Sequence, residues 1–335
     1  MLRSATRADT RADPLADPLA AALDLLAGRA LVTLTGAGLS TDSGIPDYRG
    51  PSAPDRTPMT YAEFRSGPAA RQRYWARSHV GWSRMHTANP NPGHQALARL
   101  EAAGAQRFLI TQNVDGLHEQ AGSTSMVALH GRIADVVCLD CGDHSSRARL
   151  QQELAALNPG YAERHASAAV RPDGDVLLDD TADFVVPDCA RCGGMLKPDV
   201  VFFGENVPKP RVQRCFDAVD ALTPADGALL VAGSSLTVMS GFRFVRRCAR
   251  AGVPVVIINR GATRGDELAT LRLDAGCSET LGALVSALCG VENDSPSGSL
   301  LRSVARCAHS PSPIPAPPTT APRRASWCGS CGPRS

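Results

Sequence analysis

The sequence lacks both a long apolar run and a strong excess of charge. A helix that spans a bilayer needs about 20 consecutive apolar residues, and no run in this chain reaches that length. The 335 residues carry a net charge of +2 at pH 7, which is too little for the strongly basic surface typical of nucleic-acid binding. The composition therefore predicts neither a membrane nor a nucleic acid as a partner.

The first nineteen residues do not predict a secretory leader. Arginines at positions 3, 7 and 11 alternate with aspartates at 9, 13 and 17, and no apolar core lies between them. The acidic residues also disfavour a transit peptide. We therefore expect a cytoplasmic protein, in preference to one of the mitochondrial matrix.

Apolar runs alternate with helical patterns through most of the chain. The runs predict strands at 30–35, 107–111, 126–130, 200–203, 228–232, 254–259 and 269–273, and helices at 92–103, 209–222, 240–251 and 278–289. This alternation predicts an α/β fold, a doubly wound, mostly parallel sheet with helices on both faces.

Two stretches break the alternation and predict a second, smaller domain. The main domain is expected at 15–50, 105–133 and 199–290, and the small domain at 51–104 and 134–198. Residues 1–14 and 291–335 are expected to be disordered, because the tail is rich in proline, serine, alanine and arginine.

The most informative segment is GAGLSTDSGIPDYRG, from Gly36 to Gly50. It follows a predicted strand, and Gly36 and Gly38 permit a tight turn and a close approach of the backbone to a pyrophosphate. Thr41 stands where the usual dinucleotide motif has its third glycine. A polar stretch at 42–49, called the flap below, then replaces the expected helix. The segment therefore predicts a binding site for a nucleotide, whose end distant from the glycine-rich turn is the part that reacts.

Polar motifs follow the ends of five predicted strands: TGAG at 35–38, TQNVD at 111–115, LHG at 129–131, AGSS at 232–235 and INRG at 258–261. The carboxyl ends of parallel strands meet at one edge of a sheet, so these motifs are expected to form one nucleotide site. Asn259 ends its strand where an acidic residue would normally hold an adenosine ribose.

Four of the eleven cysteines form two closely spaced pairs separated by 47 residues: Cys138, Cys141, Cys189 and Cys192. Four thiolates make a closed tetrahedral zinc site with no position for a substrate. The pairs therefore predict one structural zinc ion, with a redox pair or unrelated thiols as the alternatives. Cys328 and Cys331 in the tail are assigned no role.

His130 follows a strand at the predicted crevice edge. A core histidine with satisfied hydrogen bonds is the ordinary alternative, but this position favours a general base for a sugar hydroxyl. Gln112, Asn113 and Asp115 offer amide and carboxylate groups to ribose hydroxyls and a carboxamide. Asp115 could instead cap the helix that begins near Gly116.

Together these motifs resemble the sirtuin family. The match covers about residues 15–290 and includes, in order, GAGLSTDSGIPDYRG, TQNVDGLH, LHG, CLDC with CARC, LKPDVVFFGE, GSSLTV and INRG. The tyrosine of PDYRG, the segment RQRYWAR at 71–77 and the long zinc insertion are similar to the class II branch. The resemblance implies a Rossmann NAD-binding domain, with a helical module at 51–104 and a zinc-binding module at 134–198.

The resemblance also implies an activity and roles for single residues. Sirtuins cleave NAD at the nicotinamide–ribose bond and transfer an acyl group from a protein lysine to ADP-ribose. His130 is then expected as the general base, with Asn113 and Asp115 at the ribose and nicotinamide. The other expected NAD contacts are Gly36, Ala37, Gly38, Thr41, Asp47, Tyr48, Arg49, Gln112, Val114, Gly233, Ser234, Ser235, Asn259, Arg260, Gly261 and Cys277.

The implied partner is an acylated lysine side chain of a protein, held in a tunnel whose expected walls are Val201, Phe203, Gly204, Glu205, Val238 and Met239. The substrate peptide is expected to pair as a β-strand between these two edges. Many sirtuins have an aromatic–proline step where this chain has Met239–Ser240, which leaves the peptide preference open.

Tyr74 and Arg77 lie three residues apart and would share one face of a helix. Their spacing is similar to that of a pair with which class III sirtuins bind acidic acyl chains, and an arginine suits a carboxylate. Alternatively, Arg77 forms a surface ion pair while Tyr74 packs in a core. Activity on acyl groups larger than acetyl is expected from the class II resemblance.

Two other functions stay open from the sequence. A mono-ADP-ribosyltransferase would pass the same ribosyl group to another nucleophile, and its protein product would gain ADP-ribose. A non-enzymatic NAD-sensing scaffold is the third hypothesis, although His130 beside a full set of ribose-binding groups argues against it.

Overall fold

The computed structural model of the chain describes residues 16–48, 58–166, 176, 178 and 181–290. The predicted lead at 1–14, the predicted tail at 291–335 and Arg49 of the flap lie outside these residues. No helix among the described residues has both the length and the apolar content needed to cross a membrane.

The described residues form nine strands and ten α-helices, which alternate in part of the chain. The strands are β1 Ala30–Thr35, β2 Gln106–Thr111, β3 Met126–Ala128, β4 Gly131–Cys138, β5 His144–Ser146, β6 Leu196–Val200, β7 Gly227–Ala232, β8 Val255–Ile258 and β9 Leu271–Leu273. The helices are α1 Ala16–Leu26, α2 Tyr61–Arg65, α3 Pro68–Thr87, α4 Pro92–Ala102, α5 Leu117–Gln120, α6 Arg147–Leu157, α7 Tyr161–Arg164, α8 Lys209–Asp220, α9 Met239–Arg250 and α10 Cys277–Cys289.

Six parallel strands form the larger sheet, in the order β3-β2-β1-β7-β8-β9. Alternate residues of β7 enter separate cores on the two faces, Leu230 on one and Leu229 on the other. Burial on both faces explains why the strands read as continuous apolar runs. The winding reverses between β1 and β7, so the loops at their carboxyl ends diverge and open a crevice. The predicted doubly wound fold is confirmed.

A smaller unit is built around a three-stranded antiparallel sheet in the order β5-β4-β6. Its core is largely aromatic: Phe64, Trp75, Tyr161 and Phe184 are all almost fully buried. Several rings meet edge to face, as do Phe64 and Tyr74 with centroids 5.4 Å apart, which is a favoured aromatic geometry.

The structure corrects two of the predicted assignments. Helix α4, placed with the helical module at 51–104, instead packs against α10 and joins the core of the larger sheet. Of the strand predicted at 200–203, only Val200 lies in a strand, as the last residue of β6, which pairs antiparallel with β4 in the small sheet. For α4 the apolar pattern indicates the element correctly, but it carries no information about which core receives the buried face.

Arg147 is a fully buried cation at the centre of the small unit. Its guanidinium lies over the rings of Trp75 and Trp82, 5.3 and 4.8 Å from their centroids. It also donates to the Ser78 carbonyl at 3.2 Å and to Gln151 at 2.7 Å. Burial lowers the pKa of Arg147 to about 10. The side chain therefore joins α3 to α6 by stacking and hydrogen bonds together.

We predict that Arg147→Ala lowers the free energy of unfolding by about 3 kcal/mol, because it leaves a cavity between two tryptophans and unpaired acceptors. Urea denaturation measures the change. Arg149→Ala is the matched control, since Arg149 is an exposed arginine of the same helix, and it should change stability by less than about 0.5 kcal/mol. Equal losses in the two variants would contradict the role of Arg147.

Candidate functional site

The loops after β1, β2, β3, β7 and β8 enclose a cleft of about 540 Å³. Most of the predicted cofactor-binding residues line it: Gly36, Ala37, Gly38, Asp47, Tyr48, Gln112, Asn113, Val114, Asp115, Gly233, Ser234, Ser235, Asn259, Arg260 and Gly261. Thr41 and Cys277 line an adjoining hollow of about 360 Å³ that shares Gly38 and Arg260 with the main cleft. The single site expected at the sheet edge is therefore assembled in the structure.

Three glycines let the turn after β1 meet the turn after β7. The Gly38 amide donates to the Gly233 carbonyl at 2.9 Å, and a Cβ at Gly36 would lie 2.8 Å from the same oxygen. Gly233 has a φ of +66°, and a Cβ there would overlap the Leu39 amide. Two short 3₁₀ turns, Ala37–Leu39 and Thr41–Ser43, follow in place of a long helix. The two turns together form a groove lined by backbone, the feature that a close approach of a pyrophosphate to the main chain requires.

Ser40 joins two of the predicted ribose-binding side chains. Its hydroxyl donates to Asp115 at 2.7 Å and accepts from the Asn113 amide at 3.0 Å. Asn113 also donates to the Gly36 carbonyl at 3.0 Å. Asp115 also accepts from the amide of Leu117, the first residue of α5, at 2.9 Å, so its side chain is held at the start of that helix as well as lining the cleft. Burial raises the pKa of Asp115.

His130 lies where three elements converge on the cleft. Its Nδ1 is 2.9 Å from the Gln112 carbonyl and its Nε2 is 2.7 Å from the Ser240 hydroxyl. A carbonyl can only accept, so Nδ1 carries the proton of the neutral ring and Nε2 keeps its lone pair. The backbone carbonyl of His130 accepts from Val201 at 2.7 Å, which ties the histidine to the predicted acyl wall.

The surroundings of His130 keep it neutral. Burial is the main cause that lowers its pKa to about 4, and the cations Arg243 and Arg211 lower it further, against the Gln112 carbonyl, which raises it. At neutral pH the ring is therefore an unprotonated base with a defined tautomer. A group in this state can accept a proton at Nε2 without first losing one.

The four predicted zinc ligands come together at the end of the small sheet. Their Sγ atoms all lie within 4.8 Å of one another, with Cys138 and Cys192 at 3.6 Å and Cys141 and Cys189 at 3.9 Å. A tetrahedral zinc ion with Zn–S bonds of about 2.3 Å requires sulfur separations of about 3.8 Å. The residues therefore fit a structural zinc ion, which would be held by four thiolates.

Comparison with known proteins agrees with this geometry. The model of the Sir2 family matches residues 36–240. The NAD-dependent protein deacetylase 1 of Mycobacterium avium is 56% identical over 267 residues, which are 79% of this chain and 93% of that protein. The NAD-dependent protein deacetylase of Xanthomonas campestris (strain 8004) is 52% identical over 260 residues, 76% of this chain and 86% of that protein. The chain belongs to the Sir2 family.

A solved structure of Sir2 with a p53 peptide and NAD+ has the same fold. It is 32% identical, has a TM-score of 0.65, and the match covers 81% of this chain and 98% of that one. The resemblance to sirtuins drawn from the motifs is confirmed, and so are NAD and zinc as the expected cofactors. Membership of the class II branch stays a prediction.

The predicted acyl wall of this sirtuin lines the same cleft as His130, through Val201, Phe203, Gly204, Glu205, Val238 and Met239. Phe203 and Met239 are 38% and 41% exposed, which is high for large apolar side chains. The Phe203 carbonyl accepts from the Tyr61 amide at 2.9 Å, so one hydrogen-bonding position of the predicted peptide edge is already used within the chain.

The structure separates Tyr74 from Arg77. Tyr74 lines the cleft and contacts Phe64 and Phe202 through its ring. Arg77 is absent from the described lining of the cleft; it is buried and donates to the Leu178 carbonyl at 2.8 Å. This position gives no support to the prediction that Arg77 binds an acidic acyl chain, which stays a prediction. A surface ion pair, the alternative for Arg77, does not fit a buried side chain.

Sequence reasoning missed three residues of the site. Ser40 was quoted only as part of the glycine-rich motif, Ser240 only as a departure from the family pattern, and Arg243 was not considered. Each lines the cleft. A signal was available for the serines, since both follow a predicted strand end within eight residues.

Two further histidines, His94 and His118, are fully buried beneath the cleft. Their ring centroids are 4.8 Å apart, and His118 shares a hydrogen bond of 2.9 Å with Thr35. Burial lowers the pKa of His94 to about 4 and that of His118 well below its ordinary value. Both rings are neutral in the folded protein.

We predict that the zinc site supports the fold. Removal of the metal with a chelator, Cys138→Ser or Cys192→Ser should lower the melting temperature by about 10 °C or more, because the metal-binding free energy is lost from the folded state. Cys289→Ser is the control, since Cys289 is a thiol of α10 outside the cluster. Normal melting of a demonstrably zinc-free protein would refute the structural role.

We also predict acid destabilisation through the buried histidines. Unfolded histidine titrates near pH 6.5, so below that value the unfolded chain binds protons that the folded rings do not. The contribution of these two histidines to the free energy of unfolding is therefore fully present above about pH 6.5. It falls as the pH is lowered toward 4, by about 1.4 kcal/mol per pH unit for each ring. Urea denaturation between pH 7.5 and 5 should show a shallower slope for His94→Gln, and an unchanged slope for His144→Gln on exposed β5. Parallel slopes in all three proteins would contradict this account.

Proposed function

We infer that this chain is an NAD-dependent protein-lysine deacetylase. The observation that carries the inference is the position of His130: a neutral base whose Nε2 lies in the cleft, between the diphosphate groove and the acyl wall. The relatives named above are NAD-dependent protein deacetylases, and they agree with this arrangement.

Different residues of the cleft would bind different parts of NAD. The backbone groove at Gly36, Gly38 and Gly233 would hold the diphosphate of NAD, while Asn113 and Asp115 would bind the ribose beside nicotinamide. Bound NAD supplies an electrophilic ribose carbon as nicotinamide leaves. Fixed dipoles and the exclusion of water favour such a charged transition state.

The acylated lysine would enter the cleft along the predicted acyl wall. An acylated lysine would pass between Phe203 and Met239, with its acyl oxygen directed toward the ribose. His130 would then take the proton of a ribose hydroxyl at Nε2, while Nδ1–H stays bonded to the Gln112 carbonyl. That bond would stabilise the imidazolium formed in this step, because a carbonyl favours the protonated ring.

We predict that His130→Ala or His130→Tyr lowers deacylation about 100-fold or more, as expected when a general base is lost. The fold and the affinity for NAD should be largely retained. The assay follows NAD consumption with acetyl-, longer acyl- and dicarboxyl-lysine peptides. His144→Ala on exposed β5 is the matched control and should keep wild-type turnover.

The products separate the alternatives. Free nicotinamide with O-acyl-ADP-ribose supports a deacylase, whereas a protein that gains the mass of ADP-ribose supports a mono-ADP-ribosyltransferase. No consumption of NAD on any peptide or protein would favour an NAD-sensing scaffold. A loss of less than about threefold in His130→Ala would mean that His130 is not the base.

A further inference from the structure

The hydroxyl of Ser240 is hydrogen-bonded to Nε2, the second ring nitrogen of His130. Oγ lies 2.7 Å from Nε2, and Ser240 is only 7% exposed. Because Nδ1 donates to the Gln112 carbonyl, Nε2 has only a lone pair to offer, and the serine must be the donor. Both ring nitrogens are therefore bonded, and the orientation of the imidazole is set from two sides.

The start of α9 is shaped to make this contact. Ser240 is the second residue of the helix, and the next residue, Gly241, lies against the side chain of Gln112. A Cβ at Gly241 would be 2.6 Å from the Gln112 Nε2 atom, so a larger residue would displace it. The same amide side chain accepts a hydrogen bond from Ser234 at 2.7 Å. The Ser-Gly pair thus packs on both His130 and the residue whose carbonyl holds Nδ1.

We propose that Ser240 is a positioning residue for the base: it holds the neutral ring of His130 with the Nε2 lone pair in the cleft, and it releases that lone pair when a substrate hydroxyl arrives. This proposal rests on the function inferred above. The proton taken up at Nε2 comes from the substrate hydroxyl, and Ser240 keeps its own proton throughout.

Charged groups around the ring act in the same direction as the serine. Arg243 on α9 and Arg211 on α8 both disfavour the imidazolium, and Arg211 is itself paired with Asp199 of β6 at 2.7 Å. These cations remain when the serine is removed. Loss of one donor to the neutral ring should therefore raise the pKa of His130 by only about half a unit to one unit.

The first test uses the full-length protein without ligands. Ring ¹⁵N spectra near pH 7.5, with the His130 signals assigned by comparison with His130→Ala, should show a protonated Nδ1 in every Ser240 variant. The Nε2 signal should move in Ser240→Ala and in Ser240→Cys, whose thiol is a weak donor of similar size. It should return to its wild-type position in Ser240→Thr, which keeps a hydroxyl.

The second test uses turnover and its pH dependence. Ser240→Ala should lower kcat/KM about five- to tenfold, the effect of one hydrogen bond, with an unchanged calorimetric Kd for NAD. Activity requires the neutral ring, so the acid limb of the profile should move to higher pH by half a unit to one unit. Arg246→Gln, an exposed charge on the same helix, should match the wild type in every measurement.

Two outcomes would overturn the proposal: an Nε2 signal that is the same in Ser240→Ala and wild type, or an unshifted acid limb with turnover lost equally in Ser240→Ala and Ser240→Thr. Failure of the proposed function is distinguishable, because the wild type would then consume no NAD, or His130→Ala would keep the wild-type turnover. The spectra of the ligand-free protein would still decide whether Ser240 holds the ring.

Discussion

The contact between the backbone turns after β1 and β7 is the constraint on which the site depends. Gly38 donates to the Gly233 carbonyl, and side chains at Gly36 or Gly233 would overlap the facing backbone. Since β1 and β7 are neighbours at the point where the winding of the sheet reverses, this contact places both turns beside the same crevice. Asn113, a proposed ribose-binding residue, is joined to this groove because its side chain is hydrogen-bonded to the Gly36 carbonyl.

His130, the proposed base, is coupled to this groove through the neighbouring strand end. Gln112 begins the loop after β2, and its carbonyl sets the tautomer of His130, while its side chain is held between Ser234 and Gly241. A structural change in the backbone groove near Ser234 should therefore be passed to His130 through Gln112, which contacts both residues. The small unit contributes the acyl wall, and the backbone bond from Val201 to His130 joins that wall to the base.

Residues whose role depends on local spacing were predictable. The four cysteines were recognised from two Cys-x-x-Cys pairs, a spacing typical of a structural zinc site, and their sulfur atoms meet in space. His130 was recognised because it follows a strand in a parallel sheet, where position at the strand end implies position at the crevice. The lining of the cleft includes Tyr74 but not Arg77, because helical spacing predicts a shared face for the two residues but not which part of that face meets the cleft.

The sequence by itself determined the alternation of strands and helices, the order of the motifs and the chemical groups available to the site. Periodicity and turn chemistry act over a few residues, so they can be read from neighbours in the chain. Only the tertiary structure decided that α4 packs on the larger sheet and that Ser240 bonds to His130 across 110 residues. Contacts of this kind depend on how separate elements pack, and no local pattern encodes the distance between them.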